Sequence, residues 1–312
     1  MKGEVTSASI VAARVAALPP TSFFLTSAVF HYLGPSLAVL LFAHVDVLGV
    51  AWLRIASAAL VFAVWRRPWR LLGRLAVRQR WVLAALGAVL AAMNTMFYLA
   101  LDQLPLSTVG AVEFMATLVL AALGARTARN LFAVALAVAG VYALTDIRLM
   151  SEPWGFAFAF ANCAGFLLYV ILGHRVATTR VGSTTDAKAI DGIDQLGAAM
   201  LIAAVVAAPF GFAEATAAFS HPLWLFWGIG VGICSSVIPY VADQLAMSRL
   251  PRATFALMLA LLPATATVIG FVVLGQSPSG QELLGIGLVI SGIGLHRQRQ
   301  AAESRNPNTE AT

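Results

Sequence analysis

Long runs of apolar residues, each about 20 residues in length, fill most of this chain. A helix of about 20 apolar residues crosses the hydrocarbon core of a bilayer, which is roughly 30 Å thick. Only 11% of the 312 residues are charged, whereas a soluble globular domain carries about 25%. In lipid the backbone must satisfy its own hydrogen bonds, and a helix does so within one segment. We therefore expect an all-α integral membrane protein.

Ten runs have the length and apolar character of a transmembrane helix. The expected spans are 22–44, 47–65, 81–101, 104–124, 129–146, 153–173, 194–213, 222–247, 252–275 and 279–296. Several begin beside a proline, which suits the first turn of a helix because its missing N–H has no partner there anyway. The pattern predicts ten transmembrane helices.

The basic residues predict the orientation of these spans. Lys and Arg are enriched in cytoplasmic loops of membrane proteins. With the N-terminus in the cytoplasm, all of the 20 Lys and Arg residues fall on that side except Arg148, which lies outside, and Arg54, which lies within a span. The alternation holds to the end of the chain. We expect a multi-pass protein of the inner membrane with both termini in the cytoplasm.

A net charge of +6 does not indicate a nucleic-acid partner here, because the basic residues are spread between apolar segments. Lysine occurs only as Lys2 and Lys188, so the chain has no G-x-x-x-x-G-K-[ST] phosphate-binding loop. Neither an H-E-x-x-H nor a C-x-x-C motif is present, and Cys163 and Cys234 are expected to pack as small apolar residues. We expect no enzyme, no cofactor and no metal site, and an energy source other than ATP hydrolysis by this chain.

A short repeat suggests how the spans are organised. Residues 100–105 (ALDQLP) resemble residues 246–251 (AMSRLP), and each copy ends one span and opens the next. Five spans per half would place the second copy upside down, as in the inverted repeats of secondary transporters. We expect two inverted five-helix repeats, at 1–149 and 150–296, and a disordered cytoplasmic tail at 297–312. A polar linker over roughly 174–193 joins the sixth and seventh spans.

Three ionisable residues within spans are candidates for function, because such groups are costly in the membrane. Glu113 lies in the middle of the fourth span and could bind a proton or a substrate amine. Arg54 lies in the second span and could hold an anionic group, or pair with Glu113 for structural reasons. Asp243 lies nearer the cytoplasmic end of the eighth span, where an ordinary helix-end acid is the alternative.

Several uncharged polar residues could complete a cavity. Asn94 and Tyr98 are four apart on one face of the third span. Tyr169 and Tyr240 also lie within spans, although tyrosines at membrane interfaces often serve packing alone. His31, close to Gly34 and Pro35, marks either a broken helix or a simple proline kink.

These residues resemble a known family, the EamA-type drug/metabolite transporters, and within it the threonine/homoserine exporter branch. The matching motifs are 93–98 (MNTMFY), Leu104-Pro105, Glu113-Phe114, Leu53-Arg54, 67–70 (RPWR) and 238–240 (IPY) through Leu250-Pro251. The resemblance implies a ten-helix inverted repeat that exports small solutes similar to amino acids. It also implies that Arg54, Glu113 and Asp243 occupy positions usually held by Arg, Glu and an acid.

The chain departs from the family pattern at three positions. Leu262-Pro263 replaces a Glu-Pro pair in the ninth span, Gln276 replaces a glutamate after that span, and Thr117 replaces a proline four residues after Glu113. The loss of the ninth-span acid is expected to remove one polar group from the cavity.

The leading hypothesis is a secondary exporter of amino acids or related polar metabolites, in which Glu113 is the proton or amine site and Arg54 is its partner. Efflux of lipophilic cations is an alternative that suits a more apolar cavity. A non-transporting assembly component of the membrane is an alternative of another class. The expected partners are a small-molecule substrate, the lipid bilayer and protons as coupling ion, with the chain acting as a monomer or a homodimer.

Overall fold

A computed structural model describes residues 19–124, 127–145, 152–177, 180–181, 188–189, 192–247 and 262–305. The helices are α1 (Pro20–Leu41), α2 (Val47–Arg66), α3 (Trp69–Arg74), α4 (Val77–Gln103), α5 (Leu106–Gly124), α6 (Ala128–Thr145), α7 (Pro153–Ala177), α8 (Gly192–Gly211), α9 (Thr216–Ser220), α10 (Pro222–Gly232), a π-helix (Ile233–Val237), α11 (Ile238–Met247), α12 (Leu262–Leu274) and α13 (Gly280–Arg305). Two short strands, β1 (Arg180–Val181) and β2 (Lys188–Ala189), pair antiparallel in the linker. The described part of the chain is otherwise helical or loop.

Length and composition allow several of these helices to cross a membrane. Six helical stretches are long and apolar enough to do so: Ser22–Leu41, Val47–Arg66, Val77–Gln103, Pro153–Gly173, Gly192–Gly211 and Pro222–Asp243. Three shorter apolar stretches accompany them: Leu106–Ala116, Leu131–Gly140 and Leu262–Leu274. The chain is therefore a multi-pass membrane protein.

Exposed and buried residues are distributed as a bilayer requires. Large apolar side chains such as Val64, Phe226 and Val272 are more than 70% exposed on the outside of the bundle. By contrast, Arg54 and Glu113 are almost completely buried among the helices. Lipid solvates apolar surface, whereas ionisable groups in a membrane face the interior of the bundle. The polar residues are thus collected in the middle of the protein.

The helices pack in a regular set of pairs. α4 lies along α7, and α11 lies along α1. α4 also contacts α8, while α10 contacts α2. α5 packs on α7, and α12 packs on α1. The pairs α2 with α8, α5 with α12, and α6 with α13 complete the bundle. Residues from distant parts of the sequence therefore meet at the centre.

Two sequence expectations need correction. α1 continues unbroken through Pro35, so His31 does not mark a broken helix. The local irregularity lies instead in the eighth predicted span, where one π-helical turn joins α10 to α11 in a continuous helix. α13 continues to Arg305, so residues 297–305 of the expected disordered tail are helical, because their Gln, Ala, Glu and Arg residues favour helix, and residues 306–312 lie outside the described part of the chain.

Other expectations fall partly outside the described residues. The second copy of the Leu-Pro repeat, at Leu250-Pro251, lies there, as does the start of the ninth span. The linker is shorter than expected, because α7 extends to Ala177 and α8 begins at Gly192. The short helices α3 and α9 were not predicted.

Glycines set the distance between α2 and α10. A Cβ atom at Gly232 would contact the Ser57 hydroxyl and would lie 2.6 Å from the carbonyl oxygen of Arg54. Two residues earlier, a Cβ atom at Gly230 would meet nothing within 4 Å. A side chain therefore fits at Gly230 but not at Gly232, although both glycines belong to the same helix.

We predict that Gly232→Ala lowers the stability of the protein by about 1–3 kcal/mol, because the added methyl forces α2 and the helix apart. Gly230→Ala is the matched control and should leave stability unchanged or raise it by up to about 1 kcal/mol, because alanine favours helix. Thermal unfolding of the purified variants in detergent measures both. Equal melting temperatures for the two variants would contradict the packing described.

Candidate functional site

A small cavity lies at the centre of the bundle, where α1, α2, α4, α5, α7 and α11 meet. Its volume is about 30 Å³. The lining residues are His31, Pro35, Arg54, Met93, Asn94, Phe97, Glu113, Asn162, Phe166, Tyr169 and Tyr240. This space holds only one or two water molecules. A larger molecule can therefore enter only if the helices move apart.

The Arg54 guanidinium group is held by the π-helical turn between α10 and α11. Its Nε donates to the Ser236 hydroxyl at 3.0 Å, and its Nη2 donates to the Ser235 carbonyl oxygen at 3.3 Å. The same guanidinium lies 5.2 Å from the centre of the Tyr98 ring, within cation–π range. These contacts use two of the five N–H donors of the side chain. Donors remain for a ligand in the cavity.

A proline explains why the Ser235 carbonyl is free to accept. In α-helical register, the carbonyl of Ser235 would accept from the N–H of residue 239, but Pro239 has no N–H. The helix forms a π turn at this position, as is common at functional sites. The Arg54 side chain supplies a donor where the proline lacks one.

The Glu113 carboxylate forms the second polar group of the cavity. Asn162 of α7 donates through its amide Nδ2 to Glu113 Oε1 at 3.3 Å. Neither Glu113 Oε2 nor Asn162 Oδ1 has a hydrogen-bond partner among the described residues, although both atoms are buried. Two oxygen atoms therefore stand ready to accept hydrogen bonds. A buried acceptor without a donor is costly, so this pair is suited to a ligand that brings N–H or O–H groups.

Arg54 and Glu113 do not pair directly, contrary to the sequence expectation that Arg54 is the partner of Glu113. Both are in the described part of the chain, and each is anchored by a different uncharged residue, on the π turn and on α7 respectively. The cavity therefore has a cationic group and an acidic group held apart.

The structure brings most of the predicted site residues together. Arg54, Glu113, Asn94, Tyr169 and Tyr240 all line the cavity. The Asn94 amide donates to the carbonyl of Leu90 on its own helix at 2.8 Å, which leaves the amide oxygen available. Tyr98 lies behind Arg54, and its buried hydroxyl has no partner among the described residues.

Asp243 stands apart from the cavity. It lies one turn beyond Tyr240 on α11, with the Ser27 hydroxyl of α1 in hydrogen-bonding reach of its carboxylate. It is absent from the cavity lining.

Asn162, Ser235 and Ser236 were missed by the sequence reasoning. All three are at most 1% exposed, although polar. The signal was present in the sequence: Asn162 interrupts an apolar span, and the serine pair stands three and four residues before Pro239. A proline in a span frees a carbonyl one turn earlier, and that carbonyl needs a donor.

The departures from the family pattern have separate outcomes. Leu262 is buried in the apolar core and is not among the residues that line the cavity. Gln276 accepts through its side-chain oxygen from the backbone N–H of Leu106 at 3.1 Å, so it caps the start of α5. A glutamate could accept the same bond. The side chain of Thr117 lies outside the described residues.

Comparisons with known proteins agree with the fold and with the motifs. Residues 163–297 match the model of the EamA-like transporter family. The threonine/homoserine exporter RhtA of Salmonella typhimurium (strain LT2) is 33% identical over 267 residues, covering 83% of this chain and 84% of that protein. RhtA of Escherichia coli K12 is 33% identical over 268 residues, with the same coverage.

A solved crystal structure shares the fold along most of the chain. It superposes with a TM-score of 0.55 and 17% sequence identity, and the match covers 93% of this chain and 99% of the other. The identity to the two exporters extends over both halves of the chain, beyond the segment that matches the family model. This chain is a membrane transporter and belongs to the EamA-like transporter family.

Proposed function

We propose that this protein is a secondary active exporter of amino acids similar to threonine and homoserine, or of related polar metabolites. The observation that carries the proposal is the central cavity, in which a guanidinium group and a set of free acceptors are held apart. The relatives named threonine/homoserine exporters match 83% of the chain, which supports the same substrate class.

The arrangement of charges suits a zwitterion. The substrate carboxylate would lie against Arg54, whose unused N–H groups can form charge-assisted hydrogen bonds with both of its oxygens. The substrate ammonium has three N–H donors and would lie between Glu113 Oε2 and Asn162 Oδ1, the two acceptors without partners. Each end of an amino acid would then meet a buried group that needs it.

The buried arginine also distinguishes between the two transport hypotheses. A lipophilic cation would have to lie close to the fixed positive charge of Arg54, which disfavours it. The aromatic residues Phe97, Phe166 and Tyr169 of the lining supply apolar surface for a side chain. Efflux of polar zwitterions is therefore favoured over efflux of lipophilic cations.

The energy source in this proposal is a gradient or an exchange, with protons as the coupling ion. Glu113 can carry a proton when no substrate is bound, and it can release the proton when an ammonium takes its place. One buried carboxylate would then serve substrate and proton alternately.

Ten spans in two inverted five-helix repeats form part of this proposal. The packing supports it, because the nine helix pairs described above map onto one another when α1, α2, α4, α5 and α6 are matched with α7, α8, α10–α11, α12 and α13. Thus α4 with α7 corresponds to α11 with α1, α4 with α8 to α10 with α2, and α5 with α7 to α12 with α1. The other three pairs, α2 with α8, α5 with α12, and α6 with α13, map onto themselves. The distribution of Lys and Arg supports termini in the cytoplasm and a place in the inner membrane.

Glu113→Gln should abolish gradient-driven efflux while the protein still inserts in the membrane, because glutamine cannot exchange a proton or neutralise an ammonium. Efflux of radiolabelled threonine from proteoliposomes with an imposed proton gradient measures this. Glu214→Gln, at an exposed acid in the loop between α8 and α9, is the matched control and should transport normally. Efflux by the Glu113 variant at the wild-type rate would sink the proposal.

Arg54→Gln should weaken binding of threonine by at least about tenfold, because it removes a charge-assisted contact worth roughly 1.5–3 kcal/mol. The control ligand is the amine that corresponds to threonine without its carboxylate. The affinity of the variant for this amine should fall far less than its affinity for threonine. Thermal-shift titration of the purified protein with both ligands gives the comparison. Equal losses for the two ligands would show that Arg54 does not bind the carboxylate.

Asn162→Leu should reduce the preference for a free ammonium group, because it removes one of the two acceptors at similar volume. Wild-type protein is expected to bind threonine and to reject N-acetylthreonine. The ratio of its affinities for these two ligands should fall by about fivefold or more in the variant. The melting temperature without ligand shows whether the variant is folded. An unchanged ratio in a folded variant would exclude Asn162 from the ammonium site.

A further inference from the structure

A second cavity lies at the end of α2, far from the central one. It has a volume of about 330 Å³ and opens to the surface where α2 ends, α3 lies across the bundle and α8 begins. Its walls carry three arginines, Arg66, Arg67 and Arg70, together with Trp65 and Asp194. The volume is in the range of small-ligand sites. No step of the transport proposal uses this cavity.

The charges in this cavity do not balance. Arg66 Nε donates to Asp194 Oδ1 at 2.6 Å, and the Arg66 guanidinium lies 5.7 Å from the centre of the Trp65 ring. The only acidic residue among the described residues of the lining is therefore already paired. The side chains of Arg67 and Arg70 are exposed and form no hydrogen bond or ion pair with the described residues. Two cationic groups thus face the cavity, and the described residues of its lining supply no further counter-charge.

The backbone at Arg67 is an independent sign of function. Arg67 ends α2 in the left-handed region, with φ 49° and ψ 55°, and no other non-glycine residue in the described part of the chain has a positive φ. Glycine is the usual residue at such a helix end, because other residues pay a steric cost of about 1 kcal/mol there. A long cation at this position suggests that its side chain is needed.

Exposed tryptophans place the cavity at the level of the lipid headgroups. Trp65 is 52% exposed, Trp69 51% and Trp81 73%. All three lie in the segment from the end of α2 through α3 to the second turn of α4. Tryptophan is enriched at the boundary between hydrocarbon and water. One turn further into α2, the apolar Leu60 and Val64 face outward. The arginines therefore lie where phosphate groups of a bilayer lie.

We propose that this cavity binds the phosphodiester of an anionic phospholipid, held by Arg67 and Arg70. A guanidinium group matches two phosphate oxygens at once, which favours arginine over lysine for this task. An anionic headgroup would also supply the negative charge that the lining lacks. Basic pockets between helices at the membrane surface are known to suit such headgroups.

The test measures lipid retention by the full-length purified protein. Native mass spectrometry in detergent should show dioleoylphosphatidylglycerol retained several-fold better than dioleoylphosphatidylcholine. Arg67→Gln and Arg70→Gln should each reduce retention of phosphatidylglycerol by about fivefold. Arg78→Gln is the matched control, since Arg78 is exposed at the start of α4 in the same segment but does not line the cavity. This variant should change retention of phosphatidylglycerol less than twofold.

A second variant separates binding from folding. Arg67→Gly should keep or raise the melting temperature, because glycine suits the left-handed backbone, and it should still lose the lipid. Equal retention of the two lipids, an equal loss in the Arg78 variant, or full retention by Arg67→Gly would overturn the proposal. Displacement of the lipid by millimolar inorganic phosphate at constant ionic strength would assign the site to free phosphate instead and would also overturn it.

Discussion

The buried guanidinium of Arg54 is the constraint on which the centre of this protein depends. A charge in the middle of a membrane protein is costly unless hydrogen bonds and nearby polar groups replace the lost water. Here a serine hydroxyl, a freed backbone carbonyl and the face of Tyr98 do so. Removing any one of them would leave the charge short of partners. The π turn, the proline behind it and the polar cavity all follow from that requirement.

Close helix contact makes this arrangement possible. Gly34 of α1 packs directly on Ser235, since a Cβ atom there would lie 2.6 Å from the backbone nitrogen of that residue. Gly232 likewise lets α10 reach the backbone of Arg54. Without a hydrophobic driving force between helices in lipid, such small residues allow the close packing that holds helices together. Because Gly34 and Gly232 have no side chains, the helices around the polar core can pack closely enough to form it.

The sequence carried the fold class and the charged part of the site, but not the uncharged part. Arg54 and Glu113 were predictable because a charge at that depth is rare and stands out in a single sequence. Asn162, Ser235 and Ser236 did not stand out, because small neutral polar residues are common in spans. Their role depends on which residues face them across the bundle, and a single sequence does not contain that information. The left-handed backbone at Arg67 was hidden for a related reason, since arginine is not a residue that signals such a turn.

Predicted helix ends were reliable where local chemistry marks them. Pro222 opens a helix at its first turn, and Asp46 accepts from the N–H of Leu48 at 2.9 Å to cap α2. At the start of α5, the capping contact comes from Gln276, which is distant in the sequence, and the sequence gave no sign of it. In α13, helix-forming residues continue past the last apolar residue, so the sequence placed the end of the helix too early.

The hydrogen bonds between Arg54 and the π-helical turn join the first half of the chain to the second beside the central cavity. In the transport cycle proposed above, a connection at that point would act as a pivot. When two rigid bodies rock about a central pivot, the gap that widens above it narrows below it. Opening of the cavity to one face of the membrane would then close it to the other face. The barrier against leakage would depend on where the two bodies touch, and no separate gate at either end would be needed.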